Sequence, residues 1–134
     1  FELFPLTPTQ MIQAHGAFPE INSLATELAP LWSTKIELLD LEFKLIVGDA
    51  RKTLSSWRHK ADAWFLDGFS PAKNPELWGA ALMQEVATHT KTGGSFATYS
   101  ASGSIRRSLQ DVGFKIERVT GFGRKRHMTK GTKL

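Results

Sequence analysis

Hydrophobic residues recur along this chain at two spacings, one typical of helices and the other of strands. The segment TPTQ at residues 7–10 has the pattern of a capping box with proline in the first turn, so it predicts a helix that ends near Gly16. Asn22 is the expected cap of a second helix, because leucines then recur at helical spacing. The residues before this pattern, up to Leu6, are expected to be extended.

Strand patterns begin after the second predicted helix. Residues 35–39 and 42–47 are apolar and β-prone, and they predict a hairpin that leads into a buried strand. Residues 62–66 contain a continuous apolar run, which predicts a strand that is covered on both faces. Further strands are predicted at residues 95–100 and 114–119.

Helical patterns separate these strands. A short helix is predicted at residues 52–57, and Asn74 followed by Pro75 opens a longer helix that stops before Gly93. A third helix is predicted at residues 104–112, with its apolar residues on one face. This alternation of strands and helices predicts an α/β fold with a doubly wound, mostly parallel sheet.

Three acidic residues lie at or near the ends of predicted strands. Glu2 is near the first strand, Asp49 follows the second and Asp67 follows the third. Ligands of parallel α/β sheets bind beyond the carboxyl ends of the strands. The three acids would then serve ribose hydroxyls, an adenine amino group and the entry of a substrate. The alternative is that acids are simply common where strands end and helices begin.

The segment after Asp67 is unusual for a loop. It reads GFSPAKNP at residues 68–75, with two prolines and an aromatic residue where flexible polar residues are ordinary. Because proline restricts the backbone even before folding, this segment is expected to hold a fixed shape around Asp67. We interpret it as one wall of a site.

Composition narrows the class of protein. The 134 residues are 41% hydrophobic and 22% charged, which is typical of one globular domain. No apolar run approaches the roughly 18 residues of a membrane span. No signal-peptide pattern and no cysteine are present, so we expect a cytoplasmic protein without a membrane partner. The four histidines lack the spacing of metal ligands, and no metal is expected.

Basic residues give the chain a formal net charge of +4, and several of them cluster near its end. The cluster consists of Arg124, Lys125 and Arg126, within the segment GFGRKRHM. Together with Lys73 and the two arginines at residues 106–107, it predicts a surface that contacts RNA phosphates, for which charge and reach suffice. The alternative is an ordinary solvated loop.

Aromatic residues are candidates for stacking on a base, and two missing motifs disfavour other chemistries. Phe69, Tyr99 or Phe122 would stack an extruded base, although most aromatic residues in a domain of this size belong to its core. The tryptophans at residues 57, 64 and 78 are interpreted as core residues. No G-x-S-x-G elbow and no G-x-G-x-x-G turn is present, so hydrolase and nicotinamide-dependent chemistry are disfavoured.

Three stretches of the sequence carry a family resemblance: DAWFLDGFSPAKNPELW, GGSFATYSASGSIRRSLQDVGF and GFGRKRHM. With the starting segment ELFPLT, they resemble the methyltransferase domain of the bacterial bifunctional tRNA 5-methylaminomethyl-2-thiouridine biosynthesis protein, over nearly the whole chain. The resemblance implies a Rossmann-like class I fold that uses S-adenosylmethionine. It also implies methylation of the 5-aminomethyl group of the tRNA wobble uridine, with a flavin-dependent oxidase domain, fused or separate, as partner.

The resemblance also implies roles for single residues. Glu2 would bind the ribose of the methyl donor, and Asp49 would bind its adenine together with the backbone of Ala50. Asp67 would be the catalytic residue. The residues implied to contact the substrate are Gly68, Phe69, Lys73, Asn74, Arg124, Lys125 and Arg126.

The sequence departs from the family pattern at two places. The family begins with a strand and a glycine-rich turn that have no counterpart in residues 1–134. We therefore expect residues 1–134 to form an N-terminally incomplete methyltransferase domain, from its second strand onward, that binds the donor weakly on its own. His127 stands where an acid is expected. The alternative function is that of a non-catalytic RNA-binding α/β module.

Overall fold

The computed structural model describes residues 6–33 and 35–134. Glu2 and most of the segment expected to be extended lie outside these residues. The chain divides into two compact units, the first ending at Asp49 and the second spanning Ala50–Leu134. Among the described residues, no helix has the length and hydrophobicity needed to cross a membrane.

The first unit consists of short helices followed by a hairpin. Its elements are α1 (Pro8–His15), a 3-10 turn (Pro19–Ile21), α2 (Asn22–Leu28), a second 3-10 turn (Ala29–Leu31), β1 (Lys35–Glu37) and β2 (Glu42–Lys44). The predicted capping box of α1 is confirmed. The Gln10 backbone N–H donates to the Thr7 hydroxyl at 3.3 Å, and the Thr7 N–H donates to the Gln10 side chain at 2.9 Å. These bonds satisfy two backbone groups at the start of the helix.

The second helix differs from its prediction in cap and in buried face. Asn22 is the first helical residue rather than the cap, because a 3-10 turn precedes it and Ile21 occupies the cap position. The buried residues are Ala25 and, just after the helix, Ala29, whereas Leu24 is 56% exposed. The leucine spacing therefore predicts the helix correctly but not the face that packs.

The predicted hairpin of the first unit is confirmed. β1 and β2 pair antiparallel, and Ile36 at the centre of β1 is buried. β2 ends at Lys44, so the strand predicted at residues 42–47 is shorter than expected. The chain then passes through Gly48, whose φ of 151° favours glycine, and reaches Asp49.

The second unit is a mixed sheet with helices. Its elements are α3 (Ala50–Thr53), β3 (Ala61–Phe65), a 3-10 turn (Pro75–Trp78), α4 (Ala80–Thr88), β4 (Thr90–Thr98), α5 (Gly103–Asp111), β5 (Phe114–Thr120) and β6 (His127–Lys133). The four strands lie in the order β3-β4-β6-β5. β3 and β4 are parallel, whereas β6 is antiparallel to both β4 and β5. Three of the four strands therefore run in one direction, as a mostly parallel sheet requires.

β6 is the strand that the sequence pattern does not predict. Its buried positions are Thr129 and Gly131, so it lacks the alternating apolar residues of an ordinary half-buried strand. Gly131 is needed for packing, since a Cβ there would lie 2.5 Å from the ring of Phe96. Residues 127–133, which follow the cluster of Arg124, Lys125 and Arg126, therefore belong to the sheet.

The core of the second unit lies between the sheet and its helices. Buried residues of α4, α5, β4 and β5 form one cluster, in which the rings of Phe96 and Phe114 are 5.1 Å apart and nearly perpendicular. α5 follows its prediction closely, with Ile105 and Leu109 buried and Gly113 at a φ of 91° just past its end. Each large apolar side chain in such a cluster contributes roughly 1.5–3 kcal/mol, so the strand ends above it are firmly anchored.

β3 lies at one end of the strand order, and its burial differs from the prediction. Trp64 packs against the core, but the next residue, Phe65, is 87% exposed. Successive strand residues point to opposite faces of a sheet. The prediction that this strand is covered on both faces is therefore wrong for the described residues, which cover one face.

The long helix predicted after Asn74 is divided in two. A 3-10 turn covers Pro75–Trp78, Gly79 is extended, and α4 then begins at Ala80. Asn74 precedes the turn but makes no side-chain cap bond, contrary to the prediction. β4 already begins at Thr90, so the glycines expected to end the helix lie inside that strand.

Candidate active site

A cavity opens at the carboxyl ends of the parallel strands β3 and β4. Their pairing continues one residue past β3, where the Leu66 N–H donates to the Ala97 carbonyl at 2.9 Å. The cavity beyond this point has a volume of about 440 Å³, which is within the ~300–1,000 Å³ usual for ligand sites. Its lining consists of residues 67–71 with Trp78, residues 98–101 and residues 125–127.

Asp67 lies on this cavity and is exposed. Its backbone N–H donates to the Phe65 carbonyl at 3.0 Å, which produces a tight turn directly after β3. Its Oδ1 accepts a hydrogen bond from the Gly68 N–H at 2.9 Å, while Oδ2 has no hydrogen-bond partner among the described residues. One carboxylate oxygen is therefore held by the loop, and the other can accept a bond from a ligand.

The loop after Asp67 is attached to the core at two points. Gly68 lies so close to Leu77 that a Cβ at residue 68 would collide with the leucine side chain. The indole N–H of Trp78 donates to the Phe69 carbonyl at 2.8 Å. Because Leu77 and Trp78 both pack against the buried cluster, the loop has a fixed position relative to the core.

The basic hairpin, which we define as residues 121–126 between β5 and β6, supplies another part of the lining. The Gly121 N–H donates to the Arg126 carbonyl at 3.1 Å and closes the hairpin. Glycine is needed at this closure, because a Cβ at residue 121 would collide with the backbone of Lys125. Lys125 and Arg126 line the cavity, whereas Arg124 is exposed outside it.

Tyr99 follows β4 and lies between two residues with fixed backbones. The Ser100 N–H donates to the Thr98 hydroxyl at 3.2 Å, and the Thr129 hydroxyl donates to the Ser100 carbonyl at 2.7 Å. Thr98 and Thr129 are 5% and 0% exposed, so these bonds are shielded from water. The backbone around Tyr99 is therefore held in place while its side chain lines the cavity.

The structure brings some of the predicted site residues together and leaves others apart. Those that line the cavity are Asp67, Gly68, Phe69, Lys125 and Arg126. Lys73, Asn74 and Arg124 are described but do not line it. Asp49 ends the first unit, and Ala50 is the first residue of α3 in the second.

The lining also contains Tyr99, which the sequence offers as a candidate stacking residue, and neighbouring residues that the sequence does not assign to a site. Residues 98–101 could have been predicted as site residues from the sequence, because they lie at or just after the end of a predicted strand. Ligands of α/β sheets bind beyond the carboxyl ends of parallel strands. Trp78 was interpreted as a core residue, and it both packs on the core and lines the cavity. His127 was noted in the sequence only as a departure from the family pattern, and its place on the cavity follows from β6.

Comparison with known proteins identifies the family. Residues 19–134 match the model of the S-adenosyl-L-methionine-dependent methyltransferase family. The chain belongs to this family. Its methyl donor is therefore S-adenosylmethionine, and the predicted Rossmann-like class I fold is confirmed.

The relatives of this methyltransferase include two curated proteins from Actinobacillus pleuropneumoniae, of serotype 5b (strain L20) and serotype 3 (strain JL03). Both are named tRNA 5-methylaminomethyl-2-thiouridine biosynthesis bifunctional protein MnmC. Each is 37% identical over 143 residues, covering 99% of this chain and 21% of the relative. The chain thus spans about a fifth of the length of these relatives.

A solved structure supports the same fold. The crystal structure of MNMC2 from Aquifex aeolicus is 37% identical in sequence and superposes with a TM-score of 0.70. The match covers 85% of this chain and 36% of that chain. The likeness thus extends well beyond the second unit.

Asp49 and Ala50, at the start of α3, remain the predicted contacts of the adenine of S-adenosylmethionine. Adenine presents an amino donor beside a ring-nitrogen acceptor. Asp49 supplies carboxylate oxygens, and the N–H of the next residue, Ala50, has no acceptor within the helix because it lies in the first turn. A carboxylate and a backbone N–H on consecutive residues match the chemistry of this edge of adenine.

Proposed function

We propose that this methyltransferase acts on tRNA and methylates the 5-aminomethyl group of the wobble uridine. The observation that carries the proposal is the position of Asp67, fixed at the edge of a cavity that Lys125 and Arg126 also line. An acid suits an amine substrate, and the two cations suit the phosphates of a nucleotide. The names of the curated relatives support the same substrate class.

The acceptor in this reaction is a primary amine. Such an amine has a pKa of roughly 10.4 when it resembles a lysine side chain, so it is mostly protonated at neutral pH. Asp67 attracts the ammonium form through Oδ2. After this ammonium loses a proton to water, Asp67 holds one N–H of the neutral amine and orients the nitrogen lone pair for transfer. Orientation is the first role of Asp67, and acceptance of a proton is the second.

S-adenosylmethionine supplies an electrophilic methyl group when it is bound. With the donor bound, Asp67 or water would accept the proton that the methylated nitrogen loses. Donor binding is assigned to Glu2 at the ribose, to Asp49 at the adenine amino group and to the Ala50 backbone at the adenine ring. The contribution of the loop after Asp67 is position, since the core prevents it from moving away from the reacting amine.

The basic hairpin is the proposed contact for tRNA phosphates, through Arg124, Lys125 and Arg126. Lys73 and Asn74 extend this surface from the loop after Asp67. Their N–H groups donate to the Ser70 carbonyl at 2.8 and 3.0 Å, which fixes a turn with an exposed Lys73. A tRNA substrate places the reaction in the cytoplasm.

A flavin-dependent oxidase domain, fused or separate, is the proposed functional partner. The curated relatives are named bifunctional, and the chain covers about a fifth of their length. The remaining sequence of those proteins is long enough to form a second catalytic domain. Copurification of an oxidase activity with the intact protein from its own cells would support this partner, and its absence there would reject it.

Transfer of a radiolabelled methyl group to undermodified tRNA tests the proposed function directly. The intact protein should label tRNA, and nucleoside analysis should locate the label on the wobble uridine. A protein that binds tRNA but transfers no methyl group would instead support the non-catalytic RNA-binding module. Label on another nucleotide would reject the proposed substrate while leaving methyl transfer intact.

A further inference from the structure

Two exposed aromatic rings lie on the lining of the cavity around Asp67. Phe69 is 75% exposed and Tyr99 is 51% exposed, whereas aromatic side chains of this size usually bury most of their surface. Both line the cavity, whereas Phe122, at 78% exposure, does not. The structure thus separates two candidate stacking residues from a third that the sequence alone could not distinguish.

The backbones that carry these two rings are held in place. The Trp78 indole fixes the Phe69 carbonyl at 2.8 Å, and two buried threonine hydroxyls fix the backbone of Ser100, directly after Tyr99. Neither ring contributes to the buried cluster. An exposed aromatic ring on a fixed backbone loses little conformational entropy when a ligand binds, because only its two side-chain torsions remain to be ordered.

The surroundings of the rings indicate which ligand they fit. Exposed aromatic faces bind nucleobases by stacking, which every base allows. Lys125 and Arg126 line the same cavity and would meet the phosphate of a nucleotide whose base lies between the rings. Asp67 lies on the same lining, and its carboxylate suits an amine attached to that base.

We propose that Phe69 and Tyr99 hold the wobble base by stacking after it has left the anticodon stack. The inference rests on the proposed function, since the base is that of the tRNA acceptor. Stacking on the two rings offsets part of the free energy that extrusion of the base requires. The 5-aminomethyl group then reaches Asp67, which it cannot do while the base remains stacked in the RNA.

An anticodon stem–loop RNA with 2-aminopurine beside the wobble uridine tests this inference. The fluorescence of 2-aminopurine rises when the neighbouring base leaves the stack, so the intact protein should raise it. Phe69→Leu and Tyr99→Leu should each suppress the rise. Each should also weaken RNA binding roughly 5- to 150-fold, as expected for the loss of one base–aromatic contact.

Two matched variants serve as controls. Tyr99→Phe keeps the ring without the hydroxyl and should retain the fluorescence rise. Phe122→Leu removes an exposed aromatic outside the cavity and should also retain it. Thermal unfolding of all four variants should match that of the intact protein, because each altered ring is largely exposed.

Kinetics separate this inference from the proposed function. In the two leucine variants, the KM for RNA should rise more than kcat falls, since Asp67 is unchanged. Leucine variants that raise fluorescence and methylate tRNA as the intact protein does would overturn the stacking role and leave the methyltransferase function standing. An intact protein that never methylates tRNA would instead reject the function, and the fluorescence of the RNA complex would still decide the role of the rings.

Discussion

The loop after Asp67 and the basic hairpin line the same cavity, but they are held in different ways. The loop is attached to the buried cluster, through the contact of Gly68 with Leu77 and the bond from Trp78. The basic hairpin is closed by backbone hydrogen bonds within itself, and its three cationic side chains are exposed. The loop is therefore fixed by the core, whereas the basic hairpin presents charge on exposed side chains.

This difference matches the demands of the proposed reaction. Transfer of a methyl group depends on geometry so strongly that a displacement of about 1 Å can reduce the rate roughly 100-fold. Attraction of a phosphate depends on charge and acts over a Debye length of about 8–10 Å at physiological salt. Substitutions in the loop should therefore change turnover sharply, and substitutions in the basic hairpin should change RNA affinity gradually.

The largest effect is expected for Asp67→Asn. The amide keeps the shape of the side chain but neither attracts an ammonium group nor accepts its proton, so turnover should fall by roughly 100- to 10,000-fold. Single-turnover methyl transfer measures this loss, and equilibrium titration should show nearly unchanged affinity for the donor. Asp62→Asn is the matched control, since Asp62 lies near the amino end of the same strand and pairs with Lys91 at 2.7 Å. Full turnover in Asp67→Asn would remove this residue from the mechanism.

Gly68→Ala tests whether attachment to the core positions the loop. The new Cβ would collide with Leu77, so the free energy of unfolding should fall by roughly 1–3 kcal/mol and turnover should fall with it. Urea unfolding and methyl transfer measure the two effects. Gly79→Ala is the control, because its Cβ would meet only ordinary contacts, at 3.5 Å or more.

A second substitution makes this test sharper. Leu77→Ala makes room for a Cβ at residue 68, so the double variant should lose less turnover than the sum of the two single losses. Strictly additive losses would show that Gly68 does not act through Leu77. The fixed position of the loop after Asp67 would then need another explanation.

Asp49→Ala should affect the donor and neither wall of the cavity. Loss of one polar contact to adenine should weaken donor binding by roughly 1–3 kcal/mol, which calorimetry can measure. The salt dependence of tRNA binding should stay the same. Asp40→Ala removes an exposed acid from the turn between β1 and β2 and serves as the control. Donor affinity equal to that of the intact protein would reject the adenine assignment.

Short-range signals in the sequence predicted their elements well. The capping box of α1 and the apolar face of α5 each depend on residues within a few turns of helix, and both are confirmed. Asp67 was expected near a site because it follows a predicted strand, and it does line the cavity. The structure adds its local hydrogen bond to Gly68, which no spacing could show.

Features that depend on distant parts of the chain were not predictable. β6 is buried through Thr129 and Gly131, and its place between β4 and β5 is set by pairing rather than by apolar residues. This strand brings the basic hairpin to the carboxyl end of β4. The presence of Lys125 and Arg126 on the same cavity as Asp67 therefore follows from an element that the sequence pattern does not predict.

The smallest effects are expected for single neutralisations in the basic hairpin. Arg124→Gln, Lys125→Gln and Arg126→Gln should each reduce the slope of log affinity against log salt by up to about 0.9, the share of one phosphate contact. Methyl transfer within the bound complex should change little, because the side chains attract RNA without orienting the amine. Arg58→Gln is the control, since Arg58 is exposed and precedes the amino end of β3.

Equal reductions in all three variants would indicate a surface that acts by charge alone, whereas an effect limited to Lys125 and Arg126 would place the phosphate inside the cavity. An unchanged slope in every variant would show that the hairpin is a solvated loop, and the contrast between the two walls would then reduce to the position of Asp67.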